Sequence, residues 1–132
     1  MSKHSTELKR IPIKFIRDKA KAAYKKGCLC EICETDQELE FHHYHTLTPL
    51  WEKWAKERKI VIKTDEDILA VRDQFIAENH DELYIHAVTL CKTHHSNLHK
   101  VYGKAPALST ASKQKNWVKI QREKHEVRKL AV

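Results

Sequence analysis

The sequence predicts an α+β fold in which two short strands are set among helices that make up most of the chain. Apolar residues recur at helical spacing over five segments, while only the runs 38–44 and 84–90 read as short strands. Two glycines and three prolines in 132 residues supply too few turns for a sandwich or barrel. At 41% apolar and 33% charged, the chain can bury a modest core and holds a single domain over residues 1–132.

The elements follow in order. Pro12 opens a helix running to about Lys26, with Gly27 as its stop and Ile13, Ile16, Ala20 and Ala23/Tyr24 facing the core. Residues 28–35 form a loop, and Glu38–Tyr44 a short strand. Thr48 caps the next helix, with Pro49 in its first turn and Leu50/Trp51, Trp54 and Arg58 along one face. The tryptophans could be base-stacking platforms, but their spacing with Leu47 and Leu50 favours core packing. Thr64-Asp-Glu-Asp67 starts a further helix, its acids placed where the helix dipole favours them. Ile68, Val71/Arg72, Phe75 and Ile76 are its apolar face. Tyr84–Leu90 reads as the second strand, and Thr93–Tyr102 as a helix ended by Gly103. Residues 112–129 make a basic helix with Trp117, Ile120 and Val127 on one side.

The net charge of +7 is uneven. Residues 1–27 carry nine Lys/Arg against two acids, residues 28–100 eight against fourteen, and residues 101–132 eight against two. Two basic arms, 1–27 and 104–132, thus flank an acidic centre, the footprint of a polyanion binder or of two solvated lysine-rich helices. Apolar runs such as Ile60-Val61-Ile62 are far short of the roughly twenty residues of a membrane span, and no apolar stretch follows the charged N-terminus. The expected setting is the cytoplasm, with no membrane partner.

In a reducing compartment the four cysteines point to metal rather than disulfides. Cys30-x2-Cys33 and Cys91-x2-His94 are two knuckle pairs that together complete a closed tetrahedral Cys3His site for structural Zn2+. His95 is an alternative to His94. Cys28 is a spare, read as a packing residue or an alternate to Cys30. Seven of the ten histidines fall in 42–45 and 86–99. His42 and His43 are consecutive in a strand and point to opposite faces, so one can bind metal while the other meets a different atom. His95 and His99, four apart, share a helix face and can chelate. His45 shares a strand face with His43 and reads as a bystander or a phosphate contact. His4, His80 and His125 read as solvated.

The run Leu39-Glu-Phe-His42-His43-Tyr44 resembles the strand, metal ligand and general-base segment of the HNH (ββα-metal) nucleases. Ile85-His86-Ala-Val-Thr-Leu-Cys91-Lys-Thr-His94-His95 is similar to that family's second segment, with His94 in place of a fourth cysteine and His86 in place of the middle Asn. His95-x3-His99 is similar to the pair in the bacterial toxin nucleases of the superfamily. The resemblance implies a treble-clef/ββα-metal core over 28–103, with a helical insertion at 44–85. It implies His43 as general base, His86 as the residue that orients it, and His42, His95 and His99 as ligands of one catalytic divalent cation. Imidazole ligands suit Zn2+, Ni2+ or Mn2+ better than Mg2+, and the ion is left open among these. The implied activity is hydrolysis of phosphodiester bonds in double-stranded DNA, nicked by a monomer. The basic C-terminal helix with Trp117 is similar to extensions on phage-borne homing and nicking HNH enzymes, which implies a phage-encoded protein acting in a host cell. A non-catalytic zinc-braced nucleic-acid-binding module is the rival reading. A structural adaptor that binds protein through 44–85 is a third.

Overall fold

The computed structural model describes residues 11–130; expectations for residues 1–10, His4 among them, lie outside these. The chain divides into two compact units. One takes the chain up to Tyr24 together with Leu47–Ile85, and the other takes Lys25–Thr46 and the chain from His86 onward. Helices and one two-stranded antiparallel sheet make up the described residues, as an α+β reading requires.

The first unit is helical: α1 (Ile11–Ala22), α2 (Leu47–Glu57), α3 (Asp65–Glu78) and a π-helical turn (Asp81–Ile85). Ile16 and Ala20 of α1 are fully buried, one helical turn apart, whereas Ala23 is exposed. The aromatic residues of α2 pack and do not present stacking platforms. Trp51 and Trp54 meet the buried Phe75 of α3 edge-on, with ring centroids 5.3 and 5.4 Å away. The Arg58 guanidinium lies over the Trp54 ring at 5.3 Å and pairs with Glu78, which also accepts from Trp54 Nε1. Thr64 and Asp67 form a reciprocal capping box at the start of α3.

Local expectations shift at three places in this unit. α1 ends at Ala22, before Gly27, and the Tyr84 hydroxyl donates to the Ala20 carbonyl, which also accepts from Ala23 N–H. α2 begins at Leu47, so Thr48 lies inside it and is not its cap. Tyr84 and Ile85 belong to the π-helical turn and not to a strand, and Tyr84 packs edge-on against Tyr24.

The second unit is built on β1 (Leu39–His43) and β2 (Ala87–Cys91), antiparallel, with Leu39 opposite Cys91 and His43 opposite Ala87. The pairing continues one step past each end, from Tyr44 N to His86 O and from Lys92 N to Glu38 O. α4 (Lys92–Tyr102) follows β2 without a loop and stops at Gly103, whose φ of 87° is a left-handed conformation that glycine adopts freely. A 3₁₀ turn (Leu108–Thr110) leads into α5 (Ala111–Leu130).

The core of this unit gathers Cys30, Ile32, Tyr44, Leu90, Cys91, Leu98, Ala111 and Val118. The face that α5 buries is Ala111, Gln114 and Val118, with Trp117 packed partly against the core. The expected face of Trp117, Ile120 and Val127 is wrong beyond its first member, since Val127 is 65% exposed. The helix is therefore no free arm: spacing of i, i+3 and i+7 docks its first two turns. Gly27 acts at a close approach to the sheet, its N–H donating to Thr89 Oγ1 at 2.7 Å.

Truncating Phe75 to alanine removes the ring on which both tryptophans of α2 pack. The expected loss is about 3–5 kcal/mol of stability, read by chemical denaturation followed through tryptophan fluorescence.

Candidate metal centres

Among the described residues of the second unit, two groups of side chains could hold a metal ion. The first is Cys30, Cys33, Cys91 and His94, whose donor atoms lie within 4.8 Å of one another. Local backbone explains the first pair. Cys30 N bonds Thr35 O, Glu34 N bonds Cys30 O, and Glu34 turns left-handed at φ 61°, which closes a tight loop. Glu31 N anchors that loop to Thr89 O of β2. Cys91 supplies the second pair from the last position of β2, where an extended backbone precedes α4, and His94 stands one turn into the helix.

The contacts are Cys33 Sγ to Cys91 Sγ at 3.9 Å, Cys91 Sγ to His94 Nδ1 at 3.3 Å and Cys30 Sγ to His94 Nδ1 at 3.9 Å. Sulfurs about 2.3 Å from a tetrahedral zinc would stand about 3.8 Å apart, so the spacing fits. Burial pushes the Cys30 thiol up. Backbone N–H groups of Cys33, Cys91 and Ile32 outweigh it and hold the group below the usual thiol range. Burial raises Cys33. Burial lowers His94, which favours the neutral imidazole that a metal needs. Cys28, expected to pack, is exposed. His95 belongs to the other group.

That second group is His42, His95 and His99, from β1 and α4. His42 Nδ1 and His99 Nε2 each stand 3.1 Å from His95 Nε2. The other nitrogen of each ring has its own partner. His42 Nε2 donates to Gln114 Oε1 at 2.8 Å, His95 Nδ1 to Glu40 Oε1 at 2.7 Å, and His99 Nδ1 to the Gly103 carbonyl at 2.8 Å. A neutral imidazole has one N–H, and here all three are spent on acceptors. Three lone pairs are left converging on one region, an arrangement that repels itself until a cation enters. Glu40 behind His95 is the carboxylate–histidine pairing common in metal sites. Burial, with the neighbouring histidines adding to it, lowers His42 to about 3.

His43 is half-buried on the opposite strand face from His42 and lies opposite Ala87. Burial first, then the charges of His95, His45 and His99, lowers it to about 4, so it is neutral near pH 7 and able to accept a proton. His86 sits just before β2 and not within it. Its Nδ1 accepts from Lys115 Nζ at 2.8 Å, and its ring lies 5.6 Å from that of His45. Lys115 also lies over the Tyr44 ring.

Gln114, Glu40 and Lys115 were not singled out by sequence reasoning. Glu40 carried a usable signal, since it lies two residues before His42 on the same strand face. Gln114 and Lys115 carried none, because nothing local separates them from a solvated basic helix.

The described residues of this unit thus combine a two-stranded sheet, a basic helix and two donor groups, one sulfur-rich and one of three imidazoles, that could hold metal ions. The chain belongs to the nicking endonuclease family named for phage T5, whose profile matches residues 2–128. It is accordingly a DNA-cleaving nuclease of phage type. No solved structure matches the chain. Among the described residues no helix is long and apolar enough to cross a membrane.

Chelation is expected to lower the melting temperature of the wild type sharply, because structural zinc contributes roughly 10–16 kcal/mol of apparent binding energy to folding. Cys91→Ser is expected to melt low with or without chelator. A wild-type melt that chelator leaves unmoved would rule out a metal brace.

Proposed function

We propose that the protein is a metal-dependent DNA endonuclease of the HNH (ββα-metal) type, braced by zinc at Cys30, Cys33, Cys91 and His94. The observation that carries the reading is the convergence of His42 Nδ1, His95 Nε2 and His99 Nε2, with every other ring nitrogen already donating. These three residues would hold one divalent cation, with Zn2+, Ni2+ or Mn2+ matching imidazole donors better than Mg2+. Bound there, the ion supplies positive charge for the scissile phosphate and the departing 3′ oxygen.

His43 acts as the general base. Its neutral imidazole takes a proton from water as the water oxygen bonds to phosphorus and the bond from phosphorus to the 3′ oxygen breaks. The products carry a 5′-phosphate and, once the departing oxygen is protonated, a 3′-hydroxyl. His86, held by Lys115, stands in the place of the family's middle Asn and helps fix the base side of the site. The exposed lysines of α5 supply contacts to the phosphates of double-stranded DNA. One triple-histidine group among the described residues fits a monomer that cuts one strand. The same group also favours an enzyme over a zinc-braced binding module, which needs the cysteine cluster but has no use for a second set of converging donors.

Supercoiled plasmid with a panel of divalent ions tests the reading. Wild type is expected to yield open circles before linear DNA. His43→Ala is expected to lose about 10²- to 10⁴-fold in rate with its metal uptake intact. His95→Ala is expected to lose activity through weakened metal binding, so added metal restores part of it. A wild type inert with every ion would favour the binding module, and His43→Ala cutting at the wild-type rate would displace the assigned base.

A further inference from the structure

Gln114 has no exposed surface, yet it lies in the helix that also carries Lys113, Lys115, Lys119 and Arg122. A buried amide in such a helix needs a reason, and its contacts supply one. Its Nε2 faces the Tyr44 carbonyl at 3.2 Å and Thr110 Oγ1 at 2.9 Å. A backbone carbonyl only accepts, so the atom facing it must be the amide nitrogen. The amide oxygen is then the atom facing His42, and it can only accept. His42 must therefore carry its proton on Nε2, which leaves the Nδ1 lone pair turned towards His95 and His99.

Resting on the reading that His42, His95 and His99 hold an ion, we propose that Gln114 is a positioning residue that fixes the tautomer and direction of His42. The C-terminal helix is thereby a structural part of the ion site as well as a carrier of positive charge. His42 is 4% exposed, so water has little access to replace a lost partner. Without an acceptor at position 114 the His42 N–H would be buried and unsatisfied, and the ring would gain by moving its proton to the other nitrogen. That change would put a hydrogen where the ligating lone pair belongs.

The test uses the full chain with its zinc brace loaded. Nickel binding is read by calorimetry, and the His42 ring tautomer by nitrogen NMR shifts before nickel is added. Gln114→Met keeps the length of the side chain and removes both its acceptor and its donors. It is expected to weaken nickel binding by about ten- to a hundredfold and to give a mixed His42 tautomer. Gln114→Glu keeps an acceptor against His42 and loses the donors to Tyr44 and Thr110. It is expected to melt lower while retaining nickel affinity and the Nε2–H tautomer.

Affinity following the acceptor while stability follows the donors supports the positioning role. Affinity that falls with melting temperature in both variants overturns it and leaves Gln114 a core residue only. A wild-type His42 protonated on Nδ1 overturns it with no variant needed, should Gln114→Met not fold. A wild type that takes up no second ion defeats the ion-site reading and this role with it. Unchanged nickel binding in Gln114→Met defeats the role of Gln114 alone.

Discussion

Three histidine protons fix the arrangement of the candidate site. Each neutral imidazole has a single N–H, and those of His42, His95 and His99 go to a buried amide, a carboxylate and a helix-terminal carbonyl. The nitrogens left over on His42 and His99 each stand 3.1 Å from that of His95, with lone pairs facing inward. In a metal-free protein this is a destabilising contact held in place by the rest of the fold. Under the proposed reading it is a preorganised seat for a cation, where binding relieves the repulsion that folding built in.

Holding that contact requires β1, β2, α4 and α5 to keep their positions in a unit with a small core. Under the proposed reading, zinc held by the cysteine cluster would explain how. Cys30 and His94 are 64 residues apart in sequence and 3.9 Å apart at their donor atoms. Cys91 and His94 flank the junction of β2 and α4, so fixing them fixes where α4 begins and hence where His95 and His99 point. His95 is the residue next to His94, so the two clusters share a backbone while their donors face different ways. A local distortion at the cysteine cluster would therefore reach the triple-histidine group through one peptide unit.

Legibility in the sequence followed the range of the interactions. The two knuckle pairs and the His95-x3-His99 pair depend on spacings of three and four residues, and such spacings are visible in a string of letters. The Thr64 capping box and the Gly103 stop are equally local. The placement of His42 and His43 on opposite faces was readable because alternation in a strand separates neighbouring side chains. The start of β2 was misplaced because Tyr84 is claimed by the Ala20 carbonyl and by Tyr24, both distant in sequence. The buried face of α5 was misread for a related reason. Ile120 and Val127 are more apolar than Gln114, but Gln114 is opposite His42, and that pairing across 72 residues decides which face turns inward.

Metal stoichiometry resolved by donor type tests the central claim most directly. Cobalt(II) added to metal-free protein distinguishes the sites, because thiolate ligands give intense near-ultraviolet charge-transfer absorption and imidazole ligands do not. The account predicts two equivalents per chain. One brings thiolate absorption and is lost in Cys91→Ser; the other brings none and is lost in His99→Ala. Saturation at one equivalent, with His99→Ala titrating like the wild type, would contradict it.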